Sequence, residues 1–436
     1  MNNKTHTETG HTSLAYEETF DCVQCGYCLP ACPTYQTMRK ETHSPRGRIN
    51  LVKMAAEGKV SLSQLQEPID LCLGCRACET ACPTNVQYGT ILNSAKEAIQ
   101  KEKNKSMGGM TKWLSHAMFK QVLPNATAMG VLRTGLYAYQ RLGIQSLARQ
   151  TGLLPKMLPE SLATFERITP QVDTGSSPAK RPKKLHPKGK RAYKVGFFTG
   201  CIMDTVFTQI NTLSMKLLQQ AGCEVEVIHE QTCCGALQHH SGEGEQAKAL
   251  AKRNIEAFES YDFDYIVNSI GGCGAALVEY DELLKDESEW CERAKAFVDK
   301  NVDISVILGQ LRLPFKKRIN KTVTYQPSCH MSNVQKRVQE PLQLLQSIPG
   351  IQYQEMPEKE MCCGSAGIYN LIHYEAAMDI LDEKMKNVQQ CTPNIIVTTN
   401  PGCHLQMTLG VERDDKSKDI QVVHLVELLA EACDLH

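Results

Sequence analysis

From residue 194 onward the sequence is written twice. In the first pass "KVGFFTGC" ends at Cys201, "TCCGALQ" holds Cys233 and Cys234, and "DYIVNSIGGCGAALVEY" holds Cys273. In the second, "KTVTYQPSC" ends at Cys329, "MCCGSAG" holds Cys362 and Cys363, and "NIIVTTNPGC" ends at Cys403. Gaps of 31 and 32 residues precede the paired cysteines, and gaps of 38 and 39 follow them. Unrelated cysteine sets would not agree so closely, so this half is a duplicated domain.

Each copy predicts a βαβ-type unit. "KVGFF", "EVEVI", "DYIVNS" and "NIIVTTN" are short apolar runs, and helical stretches such as "TQINTLSMKLLQQAG" separate them. Parallel strands present their ligand groups at one edge of the sheet. All three cysteine elements of a copy fall near strand ends and can therefore converge. Gly235 and Gly364 permit close backbone approach beside the paired thiols, and a helix N-terminus after each would favour thiolate. Four thiolates per copy predict one iron–sulfur cluster, of cubane or unusual geometry, or a redox-active dithiol. Cys223, Cys291, Cys391 and Cys433 lie outside the repeat and fit buried small hydrophobes.

The first hundred residues carry a second duplication. Cys22-x2-Cys25-x2-Cys28-x3-Cys32-Pro33 is matched by Cys72, Cys75, Cys78, Cys82 and Pro83. This is the bacterial ferredoxin run, in which three cysteines hold one [4Fe–4S] cluster and the fourth reaches the other. Structural zinc usually takes paired Cys-x2-Cys elements, four ligands to an ion. Here each run has four cysteines of its own. The expected sets are Cys22, Cys25, Cys28 and Cys82, and Cys72, Cys75, Cys78 and Cys32. Between the runs, Ser44-Pro45 predicts a helix start. Arg46 and Arg48 then either face solvent on its first turn or offset the negative charge of a thiolate-ligated cluster.

The chain has 20 cysteines and no basic-then-apolar leader at its start, which implies a reducing compartment where thiols bind metal. Lys+Arg and Asp+Glu both number 48, so nothing points to nucleic acid. No apolar run approaches a membrane span. "AMGVLRTGLYAYQRLGIQSLARQ" reads as a core helix or as a basic amphipathic helix on a membrane surface. "DTGSSPAKRPKKLHPKGKRAYK" has the composition of an exposed linker. Adjacent His239 and His240 cannot share one helical face, which predicts a surface position. "GEGEQA" does not follow a strand and is no nucleotide fingerprint.

The expected architecture is α+β/α/β multidomain. A two-cluster ferredoxin-type helical domain occupies 1–100, a helical segment 101–172 and a basic linker 173–193. Two α/β cysteine-rich domains follow at 194–320 and 321–436. In order and wording, "CGYCLPACPTYQ", "SPRGRINLVK", "CLGCRACETACPT", "GGCGAALVEY", "CCGSAGIYN" and "NPGC" resemble the iron–sulfur subunits of bacterial glycolate oxidases. The duplicated half also resembles lactate-utilisation proteins, the anaerobic glycerol-3-phosphate dehydrogenase anchor and heterodisulfide reductase. It departs from the last of these, because Cys273 and Cys403 begin no Cys-x2-Cys.

The resemblance implies an electron-transfer subunit of an oxidoreductase, with no catalytic residues of its own. FAD-containing subunits oxidise the 2-hydroxy acid, and a respiratory-chain or quinone acceptor at the membrane receives the electrons. It implies two [4Fe–4S] clusters, with one further cluster in each cysteine-rich domain as an extension. The location implied is the cytoplasm or the inner face of the cell membrane. The competing readings are a catalytic subunit reducing a disulfide or other substrate, and a scaffold whose cysteines hold structural metal.

Overall fold

A computed structural model describes residues 13–106, 108, 117–152, 154–172, 178 and 181–435. Parts of the expected first domain and linker, residues 1–12, 173–177 and 179–180, lie outside this set. Among the described residues no strand precedes Lys184. The Ser44 hydroxyl accepts from the Gly47 N–H at 3.0 Å and Pro45 opens the helix Pro45–Ala56. A Ser61/Gln64 capping box opens Leu62–Asp70. With Tyr88–Ser106, these helices bury Ile49, Val52, Leu65, Ile69 and Ile91 in one core. The two cysteine runs are draped over that core as loops and single-turn helices.

The duplicated half forms two sheets. The first takes β1 (Lys184–Leu185), β2 (Tyr193–Phe197), β3 (Cys223–Val227), β4 (Tyr265–Asn268) and β5 (Asn301–Asp303) in the order β1-β3-β2-β4-β5. The second takes β6 (Thr322–Tyr325), β7 (Gln352–Tyr353), β8 (Ile395–Thr398) and β9 (Gln421–His424) in the order β7-β6-β8-β9. Apart from β1, every pairing is parallel, and equivalent strands hold equivalent places. β1 comes from the stretch whose composition reads as linker. It pairs antiparallel with β3 and covers that otherwise open edge.

The two copies share a core. Thr208–Gln220 of the first packs on Leu425–Ala432 of the second, and Ile304–Gln310 of the first on Gln339–Ser347 of the second. Each pairing joins the helix after a copy's first strand to the helix after the other copy's last strand. The arrangement is therefore a pseudo-two-fold. Val195, Phe197, Leu217, Val323, Val397 and Leu428 meet in it.

The helical segment between the halves departs from the core-helix alternative. Ala126–Arg141 buries Met129 and Arg133 but exposes Val131 and Leu132, and Leu142 and Leu147 are exposed just beyond it. Among the described residues no helix is long and apolar enough to cross a membrane.

Gly47 is tied to the cap that holds this end together. A Cβ there would stand 1.9 Å from the Glu41 carbonyl oxygen, whereas one at helical Gly130 meets nothing within 4 Å. Gly47→Ala is expected to destabilise by about 1–3 kcal/mol. Gly130→Ala should gain about 0.5–1 kcal/mol from helix propensity. Thermal denaturation of both variants checks this, and a Gly47→Ala midpoint at or above that of the parent would contradict it.

Candidate metal centres

The two ferredoxin-like runs interleave. One recess is lined by Cys22, Cys25 and Cys28 together with Cys82. A second is lined by Cys72, Cys75 and Cys78 together with Cys32. Cys78 borders both. The first recess thus meets three thiols of the first run with Cys78 and Cys82 of the second, and the second recess three thiols of the second run with Cys32 of the first. Among the described residues no three Cys, His, Asp or Glu side chains gather as they would around a single ion. The thiols stand around a recess, which suits a multi-iron body with a thiolate at each corner.

Local polarity favours thiolate at one cysteine of each recess, Cys82 and Cys72, whereas burial pushes Cys28 up to about 11 and Cys75 and Cys78 well above the usual thiol range. Burial pushes Cys82 up, but the Thr84 hydroxyl and the N–H groups of Val86, Thr84 and Asn85 outweigh it and hold the thiol below its usual range. Burial likewise pushes Cys72 up, and Arg48, Lys96, the Tyr88 hydroxyl and the Gly74 N–H bring it below that range. Arg48 itself is 1% exposed. It donates to the Pro68 carbonyl at 2.7 Å, to Thr34 Oγ1 at 3.1 Å and toward Cys32 Sγ at 3.9 Å, with no carboxylate among these partners. A guanidinium sealed in this way needs an anion. The thiolates supply it, so the donor set fits a thiolate-bound cluster. Of the two arginines read in the sequence, Arg48 therefore takes the charge-offsetting role. Arg46 lies nearer the surface, paired with Glu41 at 2.7 Å.

In the duplicated half the thiols follow parallel strands at their C-terminal ends. Cys201 and Cys329 each come four residues after β2 and β6, and Cys273 and Cys403 five after β4 and β8. The sulfurs form the same chain of contacts in both copies. Cys201 meets Cys233 at 3.6 Å, Cys233 meets Cys234, and Cys234 meets Cys273. Cys329 meets Cys362, Cys362 meets Cys363, and Cys363 meets Cys403. Hydrogen bonds from Cys201 and Cys234 hold Cys233 well below the usual thiol range despite its burial. Gly235 and Gly364 have φ of +82° and +90°, and a Cβ on Gly364 would lie 2.8 Å from the Ala377 carbonyl oxygen. A helix, Ala236–His240, follows the first CCG directly, but Ser365 to Ile368 intervene before Tyr369–Ile372 in the second. The expected helix N-terminus is thus found beside one pair only, because Ala366 and Gly367 take positive φ there. Of the cysteines outside the repeat, Cys223, Cys391 and Cys433 are buried and Cys291 partly so.

The second copy docks on the second ferredoxin-like run. His330 Nε2–H donates to the Gly74 carbonyl at 3.0 Å, and Asn333 Nδ2 to the Cys75 carbonyl at 2.9 Å. Thr80 Oγ1 donates to Asn333 Oδ1 at 2.9 Å, and Arg76 pairs with Glu279 of the first copy. These anchors carried no signal in the sequence, because each depends on contacts across about 200 residues or more. Nor is the His239–His240 pair on the surface. Asn93 bonds His239 at 2.7 Å and the His240 ring lies 5.1 Å from that of His330, in a pocket where the N-terminal helices meet both copies. Burial pushes His239 down to about 4, so these rings are neutral. The two residues need not share a face, since partners surround the short helix on several sides.

Known proteins place this geometry. Residues 18–86 match the family model of a 4Fe-4S dicluster domain, and residues 195–278 and 323–408 that of a cysteine-rich domain. Residues 110–169 match a model described as the linker region of the glycolate oxidase iron-sulfur subunit. A probable glycolate oxidase iron-sulfur subunit of Bacillus subtilis is 45% identical over 95% of this chain and 94% of its own length. The glycolate oxidase iron-sulfur subunit of Escherichia coli is 30% identical over 88% and 89%. Lactate utilization protein A of Halalkalibacterium halodurans is 34% identical over 54% of this chain and 96% of its own length.

The interleaved recesses generate a test. Cys82→Ser is expected to alter the spectrum of the centre bound by Cys22, Cys25 and Cys28, leaving the other nearer its parent form. Electron paramagnetic resonance of the anaerobically purified variant reads this. Change confined to the centre bound by Cys72, Cys75 and Cys78 would contradict the crossed assignment.

Proposed function

The chain belongs to the glycolate oxidase iron–sulfur subunit family, and on that premise we propose that it relays electrons from a flavin-bearing partner to a respiratory acceptor such as a quinone. The observation that carries the reading is the succession of thiol sets. The Cys22/Cys25/Cys28/Cys82 recess shares Cys78 with the Cys32/Cys72/Cys75/Cys78 recess, which abuts Cys329 of the second copy. The proposed complement is two [4Fe–4S] clusters, one in each recess, with one further iron–sulfur cluster in each cysteine-rich copy. Bound there, such clusters supply one-electron carriers, which suit a flavin that yields electrons in pairs.

The chain's own residues do the rest. Thiolates hold the carriers, Arg48 offsets their charge, and the helical core keeps water from the inner recess. Cys25 is exposed, and Phe20, Val23 and Tyr27 around it present apolar surface to solvent. Such a face beside the outer recess suits docking of the flavin-bearing subunit. The pairing with glycolate, as opposed to lactate, rests on the relatives that cover nearly the whole chain.

The isolated chain is therefore expected not to oxidise glycolate with an artificial acceptor, and to support turnover once flavin-bearing subunits are added. Dye-reduction assays with and without those subunits check this. Sustained glycolate turnover by the flavin-free chain alone would overturn the relay.

A further inference from the structure

The two cysteine-rich copies are alike in strand order and thiol spacing, yet one buried position differs in charge. Asn254 stands 19 residues before Cys273, and Lys384 stands 19 residues before Cys403. They occupy equivalent helices, Gly244–Glu259 and Tyr374–Cys391, and both are 0% exposed. Asn254 is fully engaged in neutral hydrogen bonds. It accepts from the Thr232 N–H at 2.8 Å and donates to the Cys233 carbonyl and the Tyr280 hydroxyl, each at 3.0 Å. Lys384 donates to the carbonyls of Glu358 and Lys359 at 3.0 and 2.9 Å, and no carboxylate is among its bonded partners.

We infer that the two copies are not interchangeable: Lys384 biases the second copy's thiol centre to take up electrons, whereas Asn254 leaves the first copy without that bias. The inference rests on the relay proposed above and gives it a direction. A buried ammonium bonded only to carbonyls requires an anion nearby. The two carbonyls it bonds lie four and three residues before Cys362. Its helix packs against the CCG turn, where a Cβ on Gly364 would stand 3.5 Å from Ile380, one turn before Lys384, so the ammonium is held on the side of the paired thiols. Burial lowers its pKa to about 8, and Cys363, Cys362 and Cys403 oppose that fall. Reduction adds one negative charge to a thiolate-ligated centre. A fixed cation in a medium of low dielectric favours that added charge far more than in water.

Position agrees with charge. Asn333 and His330 of the second copy bond the backbone of Cys75 and Gly74, so the Cys329 set is seated directly against the inner ferredoxin-like recess. In the step inferred, one electron leaves the Cys75 side and is gained on the Cys329 side. No bond is made or broken and no proton moves.

The test is a redox titration of the anaerobically purified full chain, followed by electron paramagnetic resonance. Cys363→Ser first identifies the signal that belongs to the second copy. Lys384→Gln keeps an N–H donor for the two carbonyls but removes the charge, and Lys384→Arg retains it. The Gln variant is expected to disfavour reduction of that signal at least about tenfold, a midpoint some 59 mV more negative. The Arg variant should stay near the parent, and the other signals should not move. An unshifted midpoint in iron-replete Lys384→Gln overturns the inference. So does loss of the Cys363-dependent signal in both variants, since position 384 would then supply packing rather than charge. A parent chain lacking any Cys363-dependent signal also overturns it, yet leaves the relay through the two ferredoxin-like recesses standing.

Discussion

Gathering thiolates inside a protein means burying negative charge, and the rest of this fold is arranged around meeting that charge. An isolated buried ion is so unfavourable that it neutralises or finds a partner. Here the partners are Arg48 at the inner recess, Lys384 in the second copy, and backbone N–H groups around Cys82 and Cys72. None of these cations is spent on a bonded carboxylate. A scaffold whose cysteines were merely small core residues would gain nothing from sealing an arginine and a lysine beside them. The two cations therefore speak against cysteines that act only as packing.

Architecture then turns local sets into a sequence of sites. Interleaved runs place two recesses side by side, sharing Cys78. Parallel strands bring residues more than 70 positions apart, such as Cys329 and Cys403, to one edge of a sheet. The pseudo-two-fold between the copies fixes both edges relative to each other, and hydrogen bonds from His330 and Asn333 fix the second copy on the first half. Charge at equivalent positions breaks the symmetry that duplication created.

Much of this was legible in the residues. Spacing alone predicted the duplicated α/β units and the strand-end placement of the thiols, because strand periodicity is a local property. Ser44 and Pro45 announced the helix they start. What stayed hidden was tertiary. "DEKMKN" around Lys384 reads as a solvated helix face, and nothing local marks the one lysine that turns inward. The histidine pair looked like surface because the elements that enclose it come from opposite ends of the chain. The edge strand β1 lies in a stretch whose composition signals a linker, and only an open sheet edge gives it a partner.

The central claim, that these thiol sets hold iron–sulfur clusters, is tested most directly by iron and acid-labile sulfide content of the anaerobically purified chain. The account predicts at least about 8 irons per chain with matching sulfide, rising toward ~16 as the sets of the duplicated half fill. One or two metal ions per chain, without sulfide, would contradict it.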